Sequence, residues 1–292
     1  MDNKDYSRRD FIKLMGVSAA ALALPEFDFF MEKKKPAKIG LQLYTIRREI
    51  EKDFSAAIKK AAEIGYSGVE TYALPSNITL EQAAKVFKSN ELKVFSMHTD
   101  MPEGEQRDAI VKMADIYQCN RVVFAGYPEG EKYKDMDTIK RTAERYNEAA
   151  SFLKTNELKF GLHNHWWEFE KKPDGFTPFY YLLENLSKDI FFELDTYWVK
   201  VGGKDPAKAV AEFGSRAPLL HIKDGPAIKG DKTYEQQPAG KGAMDIPAIV
   251  NAAKGNTEWM IVEFDEYAGN IFEGIKSSYT YLTENKLAKG NL

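Results

Sequence analysis

The sequence predicts one α/β domain, a (β/α)8 TIM barrel, over residues 36–292. From residue 39 onwards, short apolar runs typical of buried strands alternate with longer amphipathic stretches typical of helices. Eight such units fill roughly 250 residues, the usual size of this barrel. An open, doubly wound sheet is the structural rival. The glycine-rich turn of dinucleotide-binding sheets is missing, however, because the first apolar run continues into Gln42-Leu43-Tyr44-Thr45.

The predicted elements follow one another without interruption. The strands are expected at residues 39–43, 68–72, 93–97, 121–125, 159–163, 190–194, 219–222 and 260–264. The helices are expected to begin near Phe54, Leu80, Glu105, Asp137, Phe176, Pro206, Ile246 and Ile271. Thr79 with Gln82 three residues later predicts a capping box. Asp205 before Pro206 predicts a second capped helix start.

Residues 1–35 have the pattern of an export signal and linker. Arg8 and Arg9 precede an apolar stretch, residues 14–24, that is too short to anchor the chain in a bilayer. The paired arginines resemble a twin-arginine signal, which implies export, to the periplasm in a two-membrane cell. The alternative is a basic amphipathic helix packed on the domain. It is disfavoured because the apolar stretch has no polar face.

Composition excludes several classes of protein. The 292 residues include 13% aromatics and carry a net charge of −3, which argues against a disordered chain. A near-neutral chain also lacks the basic surface that nucleic acid requires. The single cysteine, Cys119, excludes an intrachain disulfide and CxxC zinc sites.

Polar residues concentrate where such a barrel performs its chemistry, at the C-terminal ends of the strands. All four histidines, His98, His163, His165 and His221, lie at or just after a predicted strand end. Four acidic residues share these places: Glu70, Asp195, Glu263 and Asp265. A carboxylate inside an apolar barrel costs several kcal/mol unless it is paired or bound to a metal. The set therefore predicts a site for one divalent cation, Mn²⁺, Mg²⁺, Co²⁺ or Zn²⁺.

Each of these residues also has a purely structural interpretation. His163 and His165 are equally compatible with hydrogen-bonded core histidines. Asp195 could cap a helix, although no helix is expected to start there. Lys223 could be a solvated loop lysine, and Glu263 and Asp265 could pair with a lysine of a neighbouring strand. The aromatic residues of these loops suit either a sugar ring or loop packing: Tyr44, Trp166, Trp167, Tyr197 and Trp198.

Seven segments resemble one known family. They are residues 65–70, 163–169, 195–198, 202–206, 221–224, 240–245 and 262–265, with the sequences GYSGVE, HNHWWEF, DTYW, GGKDP, HIKD, GKGAMD and VEFD. In this order and spacing they are similar to the sugar phosphate isomerase/epimerase group of xylose-isomerase-like TIM barrels. The resemblance covers nearly the whole chain after the export signal.

The resemblance implies roles for individual residues. The family's metal ligands correspond to Asp195, His221 and Glu263, and the fourth is a glutamate after strand five. This chain has His163-Asn164-His165 where many members have Glu-Asn-His. Either His163 is the ligand or Glu168 replaces it, and Glu168 is preferred because a carboxylate keeps the site hard. His163, His165 and Glu263 are then the catalytic candidates. Substrate contacts are expected from Tyr44, His98, Trp198 and Lys223.

The implied reaction is proton abstraction beside a sugar carbonyl, through an enediolate, with a metal ion as Lewis acid. Return of the proton gives an epimer or an isomer. A lyase or hydratase acting on a keto-sugar or an oxidised glycoside could use the same intermediate. A non-catalytic sugar-binding module is the alternative from another class, disfavoured because the metal-binding residues are present. The expected partner is a small sugar or keto-sugar, not nucleic acid and not a membrane.

The export signal generates the first testable prediction. Changing both Arg8 and Arg9 to lysine keeps the charge but removes the arginine pair, so the protein should accumulate in the cytoplasm, folded and active. Fractionation of cells expressing the wild-type and variant chains measures this. Normal export of the double variant would contradict the twin-arginine interpretation.

Overall fold

The computed structural model describes residues 36–127, 132–253 and 255–291, and the predicted export signal lies outside them. Eight parallel strands pair in sequence order and close into a barrel. The strands are β1 Lys38–Gln42, β2 Gly68–Thr71, β3 Lys93–Thr99, β4 Arg121–Phe124, β5 Lys159–His163, β6 Phe191–Asp195, β7 Leu219–Ile222 and β8 Trp259–Val262. The barrel closes where Lys38 of β1 pairs with Trp259 of β8. The predicted (β/α)8 fold is confirmed.

Helices follow the strands around the outside of the barrel. Their bounds are Arg47–Lys52, Phe54–Ile64, Leu80–Ser89, Gln106–Tyr117, Met136–Thr155, Pro178–Asn185, Thr196–Val201, Pro206–Phe213, Ile246–Ala253 and Ile271–Glu284. Thr79 and Gln82 form the predicted capping box, and the Asp205 side chain caps the helix that begins at Pro206. No helix among the described residues is long and apolar enough to cross a membrane.

Two local expectations fail at the ends of the last strands. β8 ends at Val262, so Glu263 and Asp265 lie in the loop beyond the strand. A short helix, Thr196–Val201, begins directly after β6, and the Asp195 carboxylate accepts a hydrogen bond from the Trp198 backbone amide at 2.9 Å. The expectation that no helix starts there is wrong. The aromatic and β-branched residues of this helix are typical of a strand, but the burial of their side chains stabilises the helix.

The barrel interior changes from apolar to charged along several of the strands, among them β6 and β7. Alternate residues point inwards, so Phe191 is followed on the same face by Glu193 and Asp195, and Leu219 by His221. The lower layer is apolar, and within it the rings of Phe95 and Trp259 stack 4.0 Å apart. This packed floor places the charged layers at the C-terminal mouth.

Gly40 tests how tightly this floor is packed. A Cβ at Gly40 would lie 2.4 Å from Cε1 of Phe95. We expect Gly40→Ala to lower the free energy of unfolding by about 1–3 kcal/mol, because the overpacked ring must move. Denaturant unfolding measures the loss, which should shrink when Gly40→Ala is made in a Phe95→Leu background. Equal losses in the two backgrounds would show that Phe95 is not the obstacle.

Candidate active site

The candidate site is a network of buried ionisable side chains at the C-terminal ends of β2, β3 and β5–β8. His221 lies at its centre and has no exposed surface. Its Nδ1 atom lies 2.5 Å from Oε2 of Glu263, and its Nε2 atom lies 2.8 Å from Oε2 of Glu70. Burial alone would lower the pKa of His221, but the charges of Glu193 and Glu263 raise it well above the usual value.

Glu193 joins three histidines. Its Oε1 atom lies 2.6 Å from Nε2 of His98, 3.1 Å from Nδ1 of His163 and 3.1 Å from Nε2 of His221. Burial opposes ionisation, but the imidazoles of His221 and His98 outweigh it and hold the pKa of Glu193 well below its ordinary value. Burial lowers the pKa of His163 well below 6.5, so His163 is neutral near pH 7.

Glu70 is the second carboxylate at this depth. Its Oε2 atom accepts a hydrogen bond from Nε2 of Gln42 at 2.7 Å. Burial and the charge of Glu193 raise the pKa of Glu70 to about 7. Both effects disfavour the ionised form of Glu70, so the two carboxyl groups do not ionise independently.

Lys223 belongs to the outer part of the network. Its Nζ atom lies 2.8 Å from Oδ2 of Asp195, 2.9 Å from Oε2 of Glu263 and 2.7 Å from Oδ2 of Asp265. Lys223 is 2% exposed, so it is not the solvated loop lysine considered above. These contacts agree with the alternative interpretation, in which Glu263 and Asp265 pair with a lysine next to the neighbouring strand, here Lys223 after β7.

Two overlapping groups of donor atoms could hold a metal ion among the described residues. The outer group is Asp195, His221 and Glu263, and the inner group is His98, His163, Glu193 and His221. Within each group the donor atoms lie within 4.8 Å of one another. The network as a whole contains five carboxylates, of Glu70, Glu193, Asp195, Glu263 and Asp265.

Glu168 lies outside both groups, although it was the preferred fourth ligand. Its Oε2 atom accepts the backbone N–H of His165 at 2.9 Å, three residues earlier, and this bond closes the turn after β5. His165 is also outside the groups. Its ring is partly exposed, lies 5.2 Å from that of His163 between centroids, and stacks on Trp167. Sequence spacing could not show that the chain turns away after His163.

The aromatic candidates divide between the core and the rim. Tyr197 and Trp198 are buried, and the Trp198 ring lies beneath Lys223, 5.3 Å from Nζ to the ring centroid. This burial is what loop packing would produce, and the substrate contact expected of Trp198 stays a prediction. Tyr44 is half-buried at the rim, with the Arg47 guanidinium 3.8 Å from its ring centroid. Trp166 is covered by Lys229 at 3.6 Å.

Sequence reasoning missed two members of the network. Glu193 was hidden in the run Phe192-Glu193-Leu194, yet it shares the inward face with Asp195 two residues later. Gln42 is buried at the end of β1 and supports Glu70. In both cases the signal was a polar residue on the inward face of an otherwise apolar strand.

A family model described as xylose isomerase-like TIM barrel matches residues 58–284. The chain belongs to this family. The comparison with curated proteins gives no match. A second model, for the twin-arginine translocation signal sequence, matches residues 5–25 and agrees with the predicted export signal.

Solved structures share the fold. A sugar phosphate isomerase/epimerase from Parabacteroides distasonis has a TM-score of 0.74 and 22% identity, with 87% of this chain and 100% of that chain covered. A second one from the same organism has a TM-score of 0.71 and 24% identity, over 91% and 100% of the two chains. IolI, solved with a zinc atom, has a TM-score of 0.66 and 15% identity, over 85% and 97%.

Lys223 provides a test of the network. Lys223→Met should lower the free energy of unfolding by about 3–5 kcal/mol at pH 8, because the buried Asp195 and Glu263 and the partly exposed Asp265 lose their ammonium partner. Without Lys223 the pKa of Asp195 and of Glu263 in the folded state should exceed that in the unfolded chain. The loss should therefore shrink as the pH is lowered from 8 towards 5.

Lys229→Met is the matched control. Lys229 also pairs with a carboxylate and lies over a tryptophan, but its side chain is 54% exposed. Its loss should cost less than about 1 kcal/mol at any pH. Equal losses for the two variants, or a Lys223→Met loss independent of pH, would contradict the buried ion network.

Proposed function

We propose that this protein is a sugar isomerase or epimerase that depends on a divalent cation and removes a proton from the carbon beside a carbonyl group. The observation that carries this proposal is the buried network at the barrel mouth, in which carboxylates, imidazoles and one ammonium group are concentrated. Such an arrangement supplies both a base for the proton and positive charge for the enediolate oxygen.

The side chains present suit a divalent cation. Five carboxylates and one lysine leave an excess of negative charge, and imidazole and carboxylate are donors for Mn²⁺, Co²⁺ and Zn²⁺. The set expected from sequence keeps Asp195, His221 and Glu263, whose donor atoms lie together. Glu168 would have to leave the His165 amide to join them. A bound cation would polarise the carbonyl and stabilise the enediolate.

Two side chains of the network are suited to accept the proton. Glu263 is ionised, because the charges of Lys223 and His221 outweigh the effect of burial and lower its pKa. His163 is neutral near pH 7, with Nδ1 facing Glu193. The C–H electron pair becomes the C=C bond of the enediolate, and the carbonyl oxygen takes the negative charge, which Lys223 offsets. Return of the proton to the opposite face gives the epimer, and return to the neighbouring carbon gives the isomer.

The alternative reaction is elimination from the same enediolate by a lyase or hydratase. The outer part of the network provides for it, because the Lys223 ammonium beside Asp265 could donate a proton to a leaving hydroxyl or alkoxide. The two reactions differ in their products, since elimination releases water or an alcohol and isomerisation releases neither. Because the chain carries a signal sequence for export, we propose that the enzyme acts on unphosphorylated sugars outside the cytoplasm.

Hydrogen–deuterium exchange tests the proposal. The full chain, stripped with a chelator and reloaded with Mn²⁺, Co²⁺, Zn²⁺ or Mg²⁺, is incubated in D₂O with free and 3-keto sugars. We expect loss of the NMR signal of the proton beside the carbonyl for one sugar class, and only in reloaded protein. Glu263→Gln should slow this exchange by about 100-fold or more, as loss of a general base does.

Glu266→Gln is the matched control, because the Glu266 side chain is half-exposed and pairs with Arg47 and Arg48. It should exchange at the wild-type rate. Release of water or an alcohol would favour the lyase alternative. Sugar binding without exchange in any loaded form would replace the proposal with a binding module.

A further inference from the structure

The inner group has the features of a metal site that is separate from the outer carboxylates. Its four donor atoms come from four different strands, β3, β5, β6 and β7, so each is held on a rigid element. His163, Glu193 and His221 are buried, and the His98 side chain is 8% exposed. Three imidazoles and one carboxylate are a donor set for Zn²⁺ and other first-row transition metals.

The distances from Glu193 to the three histidines are slightly shorter than a tetrahedral ion requires. Oε1 of Glu193 lies 2.6 Å, 3.1 Å and 3.1 Å from the nearest nitrogen atoms of His98, His163 and His221. Metal–ligand bonds of about 2.0–2.2 Å place donor atoms roughly 3.3–3.5 Å apart in a tetrahedron. An outward shift of the Glu193 carboxylate by less than about 1 Å would therefore be enough to admit the ion.

Unpartnered oxygen atoms support the same conclusion. Oε2 of Glu193, in the inner group, and Oε1 of the neighbouring Glu70 are both buried and accept no hydrogen bond from the part of the chain that the structure describes. A buried carboxylate oxygen without a partner costs free energy that a bound cation recovers. Among the described residues, no lysine or arginine forms an ion pair with Glu193, since the contacts that Lys223 makes with carboxylates go to Asp195, Glu263 and Asp265.

The outer group already contains a cation of the protein. The Lys223 ammonium lies within 2.9 Å of both Asp195 and Glu263, where an ion bridging these two carboxylates would have to compete with it. The two groups share only His221, which faces the inner group with Nε2 and the outer group with Nδ1.

We propose that the divalent cation of this protein is a first-row transition metal bound in the inner group, by His98, His163, Glu193 and His221, one layer below the acid–base residues. This inference rests on the cation of the proposed function and changes its position and identity. To polarise the carbonyl group, the cation would take the carbonyl oxygen as a fifth ligand. Mg²⁺ is excluded because three of the four donors are nitrogen atoms. With His163 used as a ligand, Glu263 is the proton acceptor, and Lys223 holds it in place.

Cobalt binding to the full chain provides the test, because the visible absorption of Co²⁺ reports its ligands. The wild-type protein should bind one Co²⁺ with a tetrahedral spectrum, displaced by Zn²⁺ and not by Mg²⁺. Glu193→Gln should weaken Co²⁺ binding by at least about 100-fold, more than the loss of an outer-shell partner does. Asp195→Asn is the matched control and should keep the wild-type affinity and spectrum. Glu263→Gln removes the outer-shell partner of His221, so it should keep the spectrum and weaken Co²⁺ binding by less than Glu193→Gln does.

The reverse pattern, Co²⁺ lost from Asp195→Asn or Glu263→Gln and kept in Glu193→Gln, would overturn the inference in favour of the outer group. Anomalous scattering from a Co²⁺-soaked wild-type crystal locates the ion without any variant, if Glu193→Gln does not fold. The proposed function fails separately, when the Co²⁺-loaded wild type exchanges no proton of any sugar. Glu263→Gln tests both proposals at once, because this variant should still bind Co²⁺ but should no longer exchange the proton of the sugar.

Discussion

Four buried carboxylates and a fifth, partly exposed one meet at one barrel mouth, and they are the constraint on which the rest of this structure depends. Each would cost several kcal/mol in an apolar interior without compensation. The compensation comes from Lys223 and His221, on β7 and its following loop, which reach the acids of β2, β6 and the loop after β8. β6 and β8 flank β7, but β2 lies across the barrel, and the side chain of Glu70 on β2 still lies 2.8 Å from His221. Closure of the barrel is therefore part of the electrostatics, because the inward faces of non-adjacent strands meet at its axis.

Much of this arrangement follows from sequence in physical terms. The eight strands were predictable because buried strands and amphipathic helices differ in period. The histidines and most acids were identified as site residues because a charged residue at a strand end has little structural use. Glu193 was missed because a single acid between Phe192 and Leu194 suggests an apolar strand. Glu168 lies outside both groups of metal donors because its carboxylate accepts a hydrogen bond from the His165 backbone amide. The spacing of residues in the sequence does not predict this hydrogen bond.

Lys223 and Asp195 show how a structural role and a site role coincide. Asp195 caps the short helix after β6 through Oδ1, while its Oδ2 atom faces Lys223. The same helix places Trp198 beneath the lysine, so the ammonium lies between a ring face and three carboxylates. The helix start that sequence reasoning set aside thus fixes the orientation of a carboxylate in the network.

His221 connects the two layers of the network. Its imidazole faces Glu70 and Glu193 with one nitrogen atom and Glu263 with the other. A cation on Nε2 would leave the ring proton on Nδ1, where it donates to Glu263 and restrains that carboxylate. Without the cation, both nitrogen atoms carry protons and the ring is positive, as its raised pKa indicates. In either state Glu263 faces an N–H group of His221, so the orientation of its carboxylate is the same. The positive charge that stabilises this carboxylate lies on the imidazole ring without the cation and on the cation once it is bound.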